Sequence, residues 1–220
     1  MKDLFLRKGA DHRVRGGHLW VYSNEVDIAR SPLGSFVAGD LVTVRNTNDR
    51  VLGSAYMEPN SLICARIYAP GEQCAIDAVF FTARLEAALA IRQTAFDQPF
   101  YRLVYGDSDT LPGLVIDRFG DILVVQLNNS GLERYREPLL EALIATLAPT
   151  GILFRADSRS RREQGLPTDS EVVYGDVPQQ VPLEENGVHF FAPVFEGQKT
   201  GWFYDHRMSR ARLASWVERK

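Results

Sequence analysis

No two glycines stand in a Gly-x-Gly arrangement anywhere in this sequence, although 17 of its 220 residues are glycine. Backbone amides approach a phosphate or ribose closely only where glycine leaves room, so this absence excludes a dinucleotide fingerprint and a P-loop. The Gly-x-Ser-x-Gly turn of the α/β-hydrolases is missing as well. We therefore expect neither a nucleotide-type cofactor loop nor a serine nucleophile elbow in these residues.

Cysteine and histidine are scarce and scattered. The two cysteines, Cys64 and Cys74, and the four histidines show no spacing that suits a metal or a catalytic dyad. Two isolated cysteines in apolar surroundings are typical of reduced thiols in the cytosol. No apolar run approaches the about 20 residues that span a bilayer, and the charged N-terminus does not resemble a signal peptide. The sequence predicts a cytoplasmic protein with no metal site and no membrane segment.

Charge is distributed unevenly, although the net charge is only −3. Residues 1–30 hold six cations against four acids, and residues 199–220 hold six against two, which leaves the middle of the chain strongly acidic. A basic head and tail suit an anionic partner that is held at defined places. Alternatively, the charged residues are simply scattered over solvated helix faces and loops. The charge distribution alone does not decide between these two interpretations.

The pattern of short apolar segments predicts an α+β protein built from four parts. Strand-like runs separated by turn residues predict a small β-barrel over 1–72, and apolar residues at helical period between Ala75 and Phe96 predict a linking helix within 73–99. Strands flanking a helix at Leu132–Leu147 predict a central α/β domain over 100–180. Glu184-Glu185-Asn186-Gly187 predicts a hairpin turn in the last part, 181–220.

Three carboxylates, Asp107, Asp109 and Asp117, form the only tight acidic group. A general acid and base pair, as in a hydrolase, would need one carboxyl whose pKa is raised by burial. Gly106-Asp107-Ser108-Asp109 is, however, typical turn composition, because aspartate side chains accept hydrogen bonds from nearby amides. We favour the turn.

The segment from Lys8 to Tyr22 interleaves cations, glycines and aromatic residues. Lysine and arginine contact phosphates, while tryptophan stacks on unpaired bases, so the segment is a candidate RNA surface. An ordinary barrel strand with solvated arginines and a core Trp20 is the alternative. The candidate RNA-binding residues are Lys8, Arg13, Arg15, His18 and Trp20.

The segment Gly197–Arg207 places a Lys-Thr pair between two glycines and follows it with three aromatic residues. Lys199 suits an anion, Asp205 suits a hydroxyl or an amine, and Arg207 suits a carboxylate that it meets bidentately. The alternative is a strand-to-helix junction in which Asp205 caps the helix. We favour the edge of a binding site, and its candidate residues are Gln198, Lys199, Thr200, Phe203, Asp205 and Arg207.

These motifs resemble the family of S-adenosylmethionine-dependent RNA cytosine-C5 methyltransferases that carry an N-terminal PUA domain and act on 23S ribosomal RNA. The opening of the family resembles Gly17-His18-Leu19-Trp20-Val21-Tyr22, and its central domain resembles Tyr105-Gly106-Asp107-Ser108-Asp109 through Arg118. Its third motif resembles Lys199–Arg207, with His206 where glutamine is usual.

The resemblance implies a PUA-like barrel, a central α/β domain, and the first hairpin and helix of a methyltransferase domain truncated at Lys220. It also implies that the S-adenosylmethionine loop and the catalytic cysteine lie beyond Lys220, so these residues would be only the N-terminal, RNA-recognising part of the enzyme. They would hold no catalytic residue and would be inactive alone. The resemblance further implies that the six candidate residues of the Gly197–Arg207 segment form one wall of the cofactor and target-base site. A non-catalytic RNA-binding adaptor is the second hypothesis. The oligomeric state is not predicted.

Overall fold

Two five-stranded sheets and a β-hairpin form the β structure of this protein, in a computed structural model that describes residues 1–217. The first sheet has the order β1-β3-β4-β5-β2, and an isolated bridge from Leu6 to Val26 joins its two edges into a barrel. Only β1 and β3 pair in parallel. The strands are β1 (Lys2–Phe5), β2 (Trp20–Tyr22), β3 (Leu41–Arg45), β4 (Val51–Met57) and β5 (Ile63–Pro70).

The strand-like runs predicted in this region are confirmed as β2 to β5, but two elements of the region were missed. β1 was not predicted, and the stretch interpreted as a possible strand contains a short helix, α1 (Asp11–Arg15). α1 buries Val14 against the barrel core. One apolar residue in a polar, arginine-rich stretch is too weak a periodic signal to predict a helix.

The predicted helix between Ala75 and Phe96 is confirmed as α2 (Ala78–Ala95). Asp77 is its N-cap, and the carboxylate accepts a hydrogen bond of 2.8 Å from the Phe80 amide. Phe81 and Leu85 are fully buried in the core beneath the second sheet. α2 thus packs as part of the central core, while the division of the chain into four domains stays a prediction.

The second sheet has the order β10-β9-β8-β7-β6, in which only β8 and β9 are parallel. Gly120, with φ of +63°, stands in the tight turn between β7 and β8. The elements are β6 (Phe100–Tyr105), β7 (Leu114–Phe119), β8 (Ile122–Leu127), α3 (Ser130–Arg134), α4 (Arg136–Leu147), β9 (Gly151–Phe154), α5 (Arg159–Glu163) and β10 (Glu171–Gly175).

The single helix predicted over Leu132–Leu147 is wrong in detail, because the structure has two helices that meet at Tyr135. Pro138 lies in the first turn of α4, where its missing amide costs no helical hydrogen bond. α4 packs against α2 on one face of the second sheet.

The last part holds the predicted hairpin, formed by β11 (Val181–Glu185) and β12 (Val188–Ala192), and then α6 (Arg207–Val217). Asn186 and Gly187 both have positive φ, as a two-residue hairpin turn requires. The hairpin packs on the face of the second sheet opposite to α2 and α4. The Lys199–Arg207 segment follows it and is thereby held at the edge of the second sheet. Among residues 1–217, no helix is both long and apolar enough to cross a membrane.

The barrel and the second sheet are joined by polar contacts through α3. The Glu58 carboxylate accepts a hydrogen bond of 3.0 Å from the Ser130 amide, and Arg134 donates to Asp40 over 3.0 Å. Gly131 packs directly on the ring of Tyr56, where an added Cβ would lie only 2.1 Å from a ring carbon. The junction therefore depends on a residue without a side chain.

Gly131→Ala is expected to lower the free energy of unfolding by about 1–3 kcal/mol, because the methyl group forces the buried Tyr56 ring or the helix to move. Chemical denaturation of the variant measures this loss. Gly34→Ala is the matched control, since an added Cβ there meets no atom within 4 Å. Equal stability of the two variants would contradict close packing at this junction.

Candidate functional site

A cleft of about 420 Å³ lies where the Lys199–Arg207 segment faces the end of α2 and strand β6. Its walls combine aromatic rings with arginines, and the segment itself adds one lysine and one carboxylate. The lining residues are Arg92, Phe96, Tyr101, Arg102, Tyr105, Lys199, Tyr204, Asp205 and Arg207. A cleft of this composition suits a planar ligand that carries charged groups.

A buried ion pair forms the floor beside the cleft. Asp117 on β7 is fully buried and receives two hydrogen bonds from Arg102, of 2.8 and 2.9 Å. The Thr200 hydroxyl donates to the same carboxylate. The Thr200 side chain is buried and anchors the segment to the second sheet, so in this structure it does not line the cleft.

The backbone around Thr200 has a conformation that explains the two flanking glycines. Lys199 has φ of +56°, and Gly201 has φ of +101°. A Cβ on Gly201 would lie 3.0 Å from the carbonyl oxygen of Pro193, and one on Gly197 would lie 2.8 Å from the Cα of Gly201. The glycines thus allow a tight loop, and a lysine in a left-handed conformation is a local strain of the kind found at functional sites.

An exposed ion pair lies on the outer side of this loop. Lys199 Nζ is 2.8 Å from Asp205 Oδ2, and the ammonium also stands 4.5 Å from the centre of the Phe203 ring. The hydrogen bond from Lys199 lowers the pKa of Asp205 below its usual value. The alternative, in which Asp205 caps the helix, is not what the structure has, because this carboxylate pairs with Lys199 and α6 begins two residues later.

Arg207 faces the cleft from the start of α6, with its guanidinium 4.6 Å from the centre of the Phe96 ring. It donates to the carbonyl of Phe100 and lies 3.4 Å from Glu185. The expected bidentate pairing belongs instead to Arg210, whose two nitrogens lie 2.5 and 2.9 Å from the Glu185 oxygens. Burial acts to raise the pKa of Glu185, but hydrogen bonds from Arg210 and Trp202 outweigh it and hold the pKa below its usual value.

The first two acidic residues of the group considered for catalysis lie in the predicted turn, Gly106–Asp109. Asp109 binds Arg92 through both oxygens, at 2.6 and 2.7 Å, and also accepts from the Tyr105 amide. Asp107 accepts a hydrogen bond of 2.9 Å from the Trp20 indole, 87 residues away. These contacts give both carboxylates structural roles and do not support a hydrolase.

The candidate RNA-binding residues of the barrel separate into two groups. Arg13 binds Glu25 at 2.9 Å and His18 at 2.8 Å, and His18 in turn packs edge-on against Trp20. Trp20 is half-buried between the barrel and the Gly106–Asp109 turn, so it joins two parts of the protein and is not an open stacking surface. The other two residues are exposed.

Arg15 and Lys8 form that exposed group. The Arg15 side chain is 60% exposed, and its nearest acid, Asp11, is 3.9 Å away. Arg15 lines a shallow cavity of about 340 Å³ together with Arg50, which sequence reasoning missed. At this cavity two exposed arginines of the barrel face open space.

Of the six residues predicted for the cofactor and target-base wall, three line the cleft, namely Lys199, Asp205 and Arg207. Gln198 and Phe203 lie beside it, and Phe203 supports Lys199. Sequence reasoning missed the opposite wall, formed by residues about a hundred positions earlier. Of the missed residues, only Tyr204 had a signal, since it belongs to the aromatic run after Gly201.

Neither cysteine is prepared to act as a nucleophile. Burial raises the pKa of Cys64 to about 12 and also raises that of Cys74. A catalytic thiol needs the opposite shift, toward the thiolate. Among residues 1–217, no group of three or more histidine, cysteine or acidic side chains is arranged to hold a metal ion.

Comparison with known proteins identifies the barrel. The sequence profile of the PUA-like domain matches residues 4–70. The whole chain is similar to ribosomal RNA large subunit methyltransferase I from Shewanella denitrificans, with 36% identity over 219 residues, and from Aliivibrio fischeri, with 34% identity over 222 residues. These alignments cover 98% and 99% of this chain but 55% of each relative, so the chain spans about half the length of the curated relatives it matches.

Solved structures share the fold. A candidate SAM-dependent methyltransferase from Streptococcus mutans superposes with a TM-score of 0.79 at 22% identity, over 97% of this chain and 54% of that one. A structure described as a methyltransferase complexed with SAH superposes with a TM-score of 0.80, also at 22% identity, over 97% and 53%. Both solved structures therefore share the fold of nearly the whole chain.

Proposed function

We propose that this chain, which is similar over nearly its whole length to ribosomal RNA large subunit methyltransferase I, is the RNA-recognising part of an S-adenosylmethionine-dependent enzyme that methylates C5 of a cytosine in large-subunit ribosomal RNA. The observation that carries the proposal is the cleft against the Lys199–Arg207 segment. The PUA-like barrel over residues 4–70 supports an RNA substrate. The specific cytosine chemistry comes from the resemblance of the three motifs.

The chemistry of the cleft fits one end of S-adenosylmethionine. The cofactor carries a carboxylate, an ammonium and ribose hydroxyls, and it supplies an electrophilic methyl group on a sulfonium. Lys199 and Arg207 would bind the carboxylate, while Asp205 would accept hydrogen bonds from the ammonium or a hydroxyl. The aromatic rings of Phe96 and Tyr204 would exclude water from the cleft. These residues make one wall of a cofactor site.

We assign to the residues of this chain the binding and orientation of RNA and cofactor. We do not assign them the covalent step. In the proposed reaction class, a cysteine thiolate attacks C6 of the base and makes C5 nucleophilic. The raised pKa values of Cys64 and Cys74 make both unsuitable for this attack. We infer that the nucleophile and the glycine-containing cofactor loop belong to the half of such an enzyme that these residues do not match.

The barrel binds RNA by its exposed cations. Arg15 and Arg50 stand in open space, whereas Arg13 is neutralised by Glu25. We therefore assign phosphate contacts to Arg15, Arg50 and Lys8. Arg13, His18 and Trp20 have the indirect role of holding the barrel against the second sheet.

Arg15→Ala combined with Arg50→Ala is expected to reduce the slope of log K against log salt concentration by about two, because each lost phosphate contact releases about one counterion fewer. The measurement is a binding titration of a structured large-subunit ribosomal RNA fragment at several salt concentrations. Arg13→Ala should change the slope little, since its charge is already paired.

Arg159→Ala is the matched control, because this arginine is 86% exposed on α5, does not line the barrel cavity and pairs with Glu163. An unchanged slope in the double variant would remove this surface from the RNA interface. A wild-type chain that binds no RNA would refute the proposed function.

A further inference from the structure

A second cavity, of about 360 Å³, lies at the C-terminal ends of the parallel strands β8 and β9. Residues from α3, α4, α5 and the start of β10 complete its lining, and none of its lining residues lines the cleft. Its volume lies within the about 300–1,000 Å³ that is typical of small-molecule sites. We name it the strand-end cavity, and the argument depends on its residues Val125, Leu127, Phe154, Arg161, Asp169 and Ser170.

Arg161 brings a buried donor to the strand-end cavity. It is the one buried arginine of the short helix α5, with only 4% of its side chain exposed. Its Nη1 donates to the Leu127 carbonyl and to Glu133, both over 2.7 Å, and its Nε donates to the Pro167 carbonyl over 2.8 Å. Its Nη2 makes no hydrogen bond to a residue that the structure describes, yet it is not enclosed by protein atoms. Nη2 is therefore the rigidly held donor that Arg161 offers to a ligand in the cavity.

Asp169 and Ser170 add polar groups at the rim of the cavity. Asp169 is exposed, and within residues 1–217 its carboxylate forms no ion pair and accepts no hydrogen bond. The Ser170 hydroxyl oxygen accepts from the Ala156 amide over 3.2 Å, so its own proton remains available. The lining holds three arginines and three acids, so the cavity has no excess of positive charge that a bare phosphate would need. We infer a ligand that carries both acceptors and donors.

The apolar part of the lining suits a planar ligand. Val125, Leu127 and Phe154 are buried, and the guanidinium of Arg136 lies 5.3 Å from the centre of the Phe154 ring. A nucleobase has apolar faces and carries its hydrogen-bonding groups on its edges, through which unpaired RNA bases are recognised. A base in this cavity would place its body against the apolar residues and its edge against Arg161 and Asp169.

Guanine is the base whose edge matches these groups. Its Watson–Crick edge presents the O6 carbonyl followed by two donors, N1–H and the N2 amino group. The carbonyl suits Arg161 Nη2, and the two donors suit the two oxygens of the Asp169 carboxylate. Adenine has no carbonyl, and cytosine and uracil each have one donor group on this edge, so none of them satisfies both residues as fully.

We propose that the strand-end cavity binds one unpaired guanine of the RNA, with O6 on Arg161 Nη2 and with N1–H and the amino group on Asp169. The inference rests on the proposed function, because it requires RNA as the partner. It adds a base-specific site that is separate from the cleft, since the cavity lies toward the β10 edge of the second sheet and the cleft lies at the β6 edge.

Asp169→Asn separates base recognition from electrostatics by the sign of its effect. The asparagine keeps one acceptor but replaces the other with an amide donor, which removes the contact of two oxygens with two donors. Loss of a negative charge should strengthen binding of every RNA if charge alone matters. We expect instead that the variant binds a uridine octamer with one central guanosine about tenfold more weakly.

The test compares wild type, Asp169→Asn and Asp121→Asn on fluorescent uridine octamers that carry guanosine, inosine or adenosine at the centre. Inosine keeps O6 and N1–H but lacks the amino group, so wild type should bind the guanosine octamer about tenfold more tightly than the other two. This preference should disappear in Asp169→Asn and persist in Asp121→Asn. Asp121 is the matched charge control, because it is exposed in the β7–β8 turn and does not line the cavity.

Two negative results have different meanings. If wild type binds the octamers without preferring guanosine, or if Asp169→Asn keeps the preference, the strand-end cavity is not a guanine site, while the proposed function stands. If wild type binds neither the octamers nor a ribosomal RNA fragment, the proposed function falls and the guanine site with it. An unchanged melting temperature of Asp169→Asn establishes that the lost preference comes from the cavity and not from unfolding.

Discussion

Asp117→Ala is expected to lower the free energy of unfolding by about 3–5 kcal/mol, the largest stability change that we predict for this protein. The carboxylate is fully buried and holds both Arg102 and Thr200. Its removal leaves a mostly buried guanidinium without a partner and the Thr200 hydroxyl without an acceptor. Unfolding by guanidinium chloride, followed by tryptophan fluorescence, measures the loss of free energy.

Thr200→Val separates the two parts of this effect, because it removes only the hydroxyl and nearly conserves the shape. We expect it to cost about 1–2 kcal/mol. Asp121→Ala, a surface change in the same hairpin, should stay within about 0.5 kcal/mol of wild type. If Asp117→Ala were as stable as Asp121→Ala, the buried pair would not hold the Lys199–Arg207 segment in place.

S-adenosylmethionine titrated into the 220-residue chain is expected to give no saturable binding up to about 1 mM, at least thousandfold weaker than a micromolar site. The cleft offers one wall, its Lys199 and Asp205 neutralise each other, and no Gly-x-Gly loop is present to approach the ribose. Isothermal titration calorimetry checks this. A micromolar isotherm would place a complete cofactor site within these residues.

Ribosomal RNA large subunit methyltransferase I from Shewanella denitrificans serves as the positive control for this titration. A chimera in which this chain replaces the matching half of that relative tests the remaining alternative. If the chimera binds S-adenosylmethionine and transfers the methyl group, the chain is an enzyme's recognition part. If the chimera binds RNA but neither binds S-adenosylmethionine nor transfers a methyl group, the chain is better described as a non-catalytic adaptor.

The candidate site could be predicted from the sequence only where one continuous segment carries it. Lys199, Asp205 and Arg207 were found because they lie within nine residues of one another in an unusual segment. Arg92, Phe96 and Tyr105 were missed because an arginine or aromatic residue on a helix or strand looks the same whether it packs or lines a cleft. The anchoring contact of Thr200 was missed because its partner, Asp117, is 83 residues away.

Local chemistry by itself determined the hairpin turns at Gly120 and Asn186-Gly187, the Asp77 cap of α2 and the position of Pro138 in a first helical turn. Each of these depends on interactions within about four residues, which a sequence displays directly. The tertiary structure alone decided which charges are paired. Arg13 binds Glu25, and Asp107 binds Trp20, whereas Arg15 stays open to solvent. The free energy of a charge depends on its desolvation and its partner, and both are set by residues distant in sequence that folding brings together.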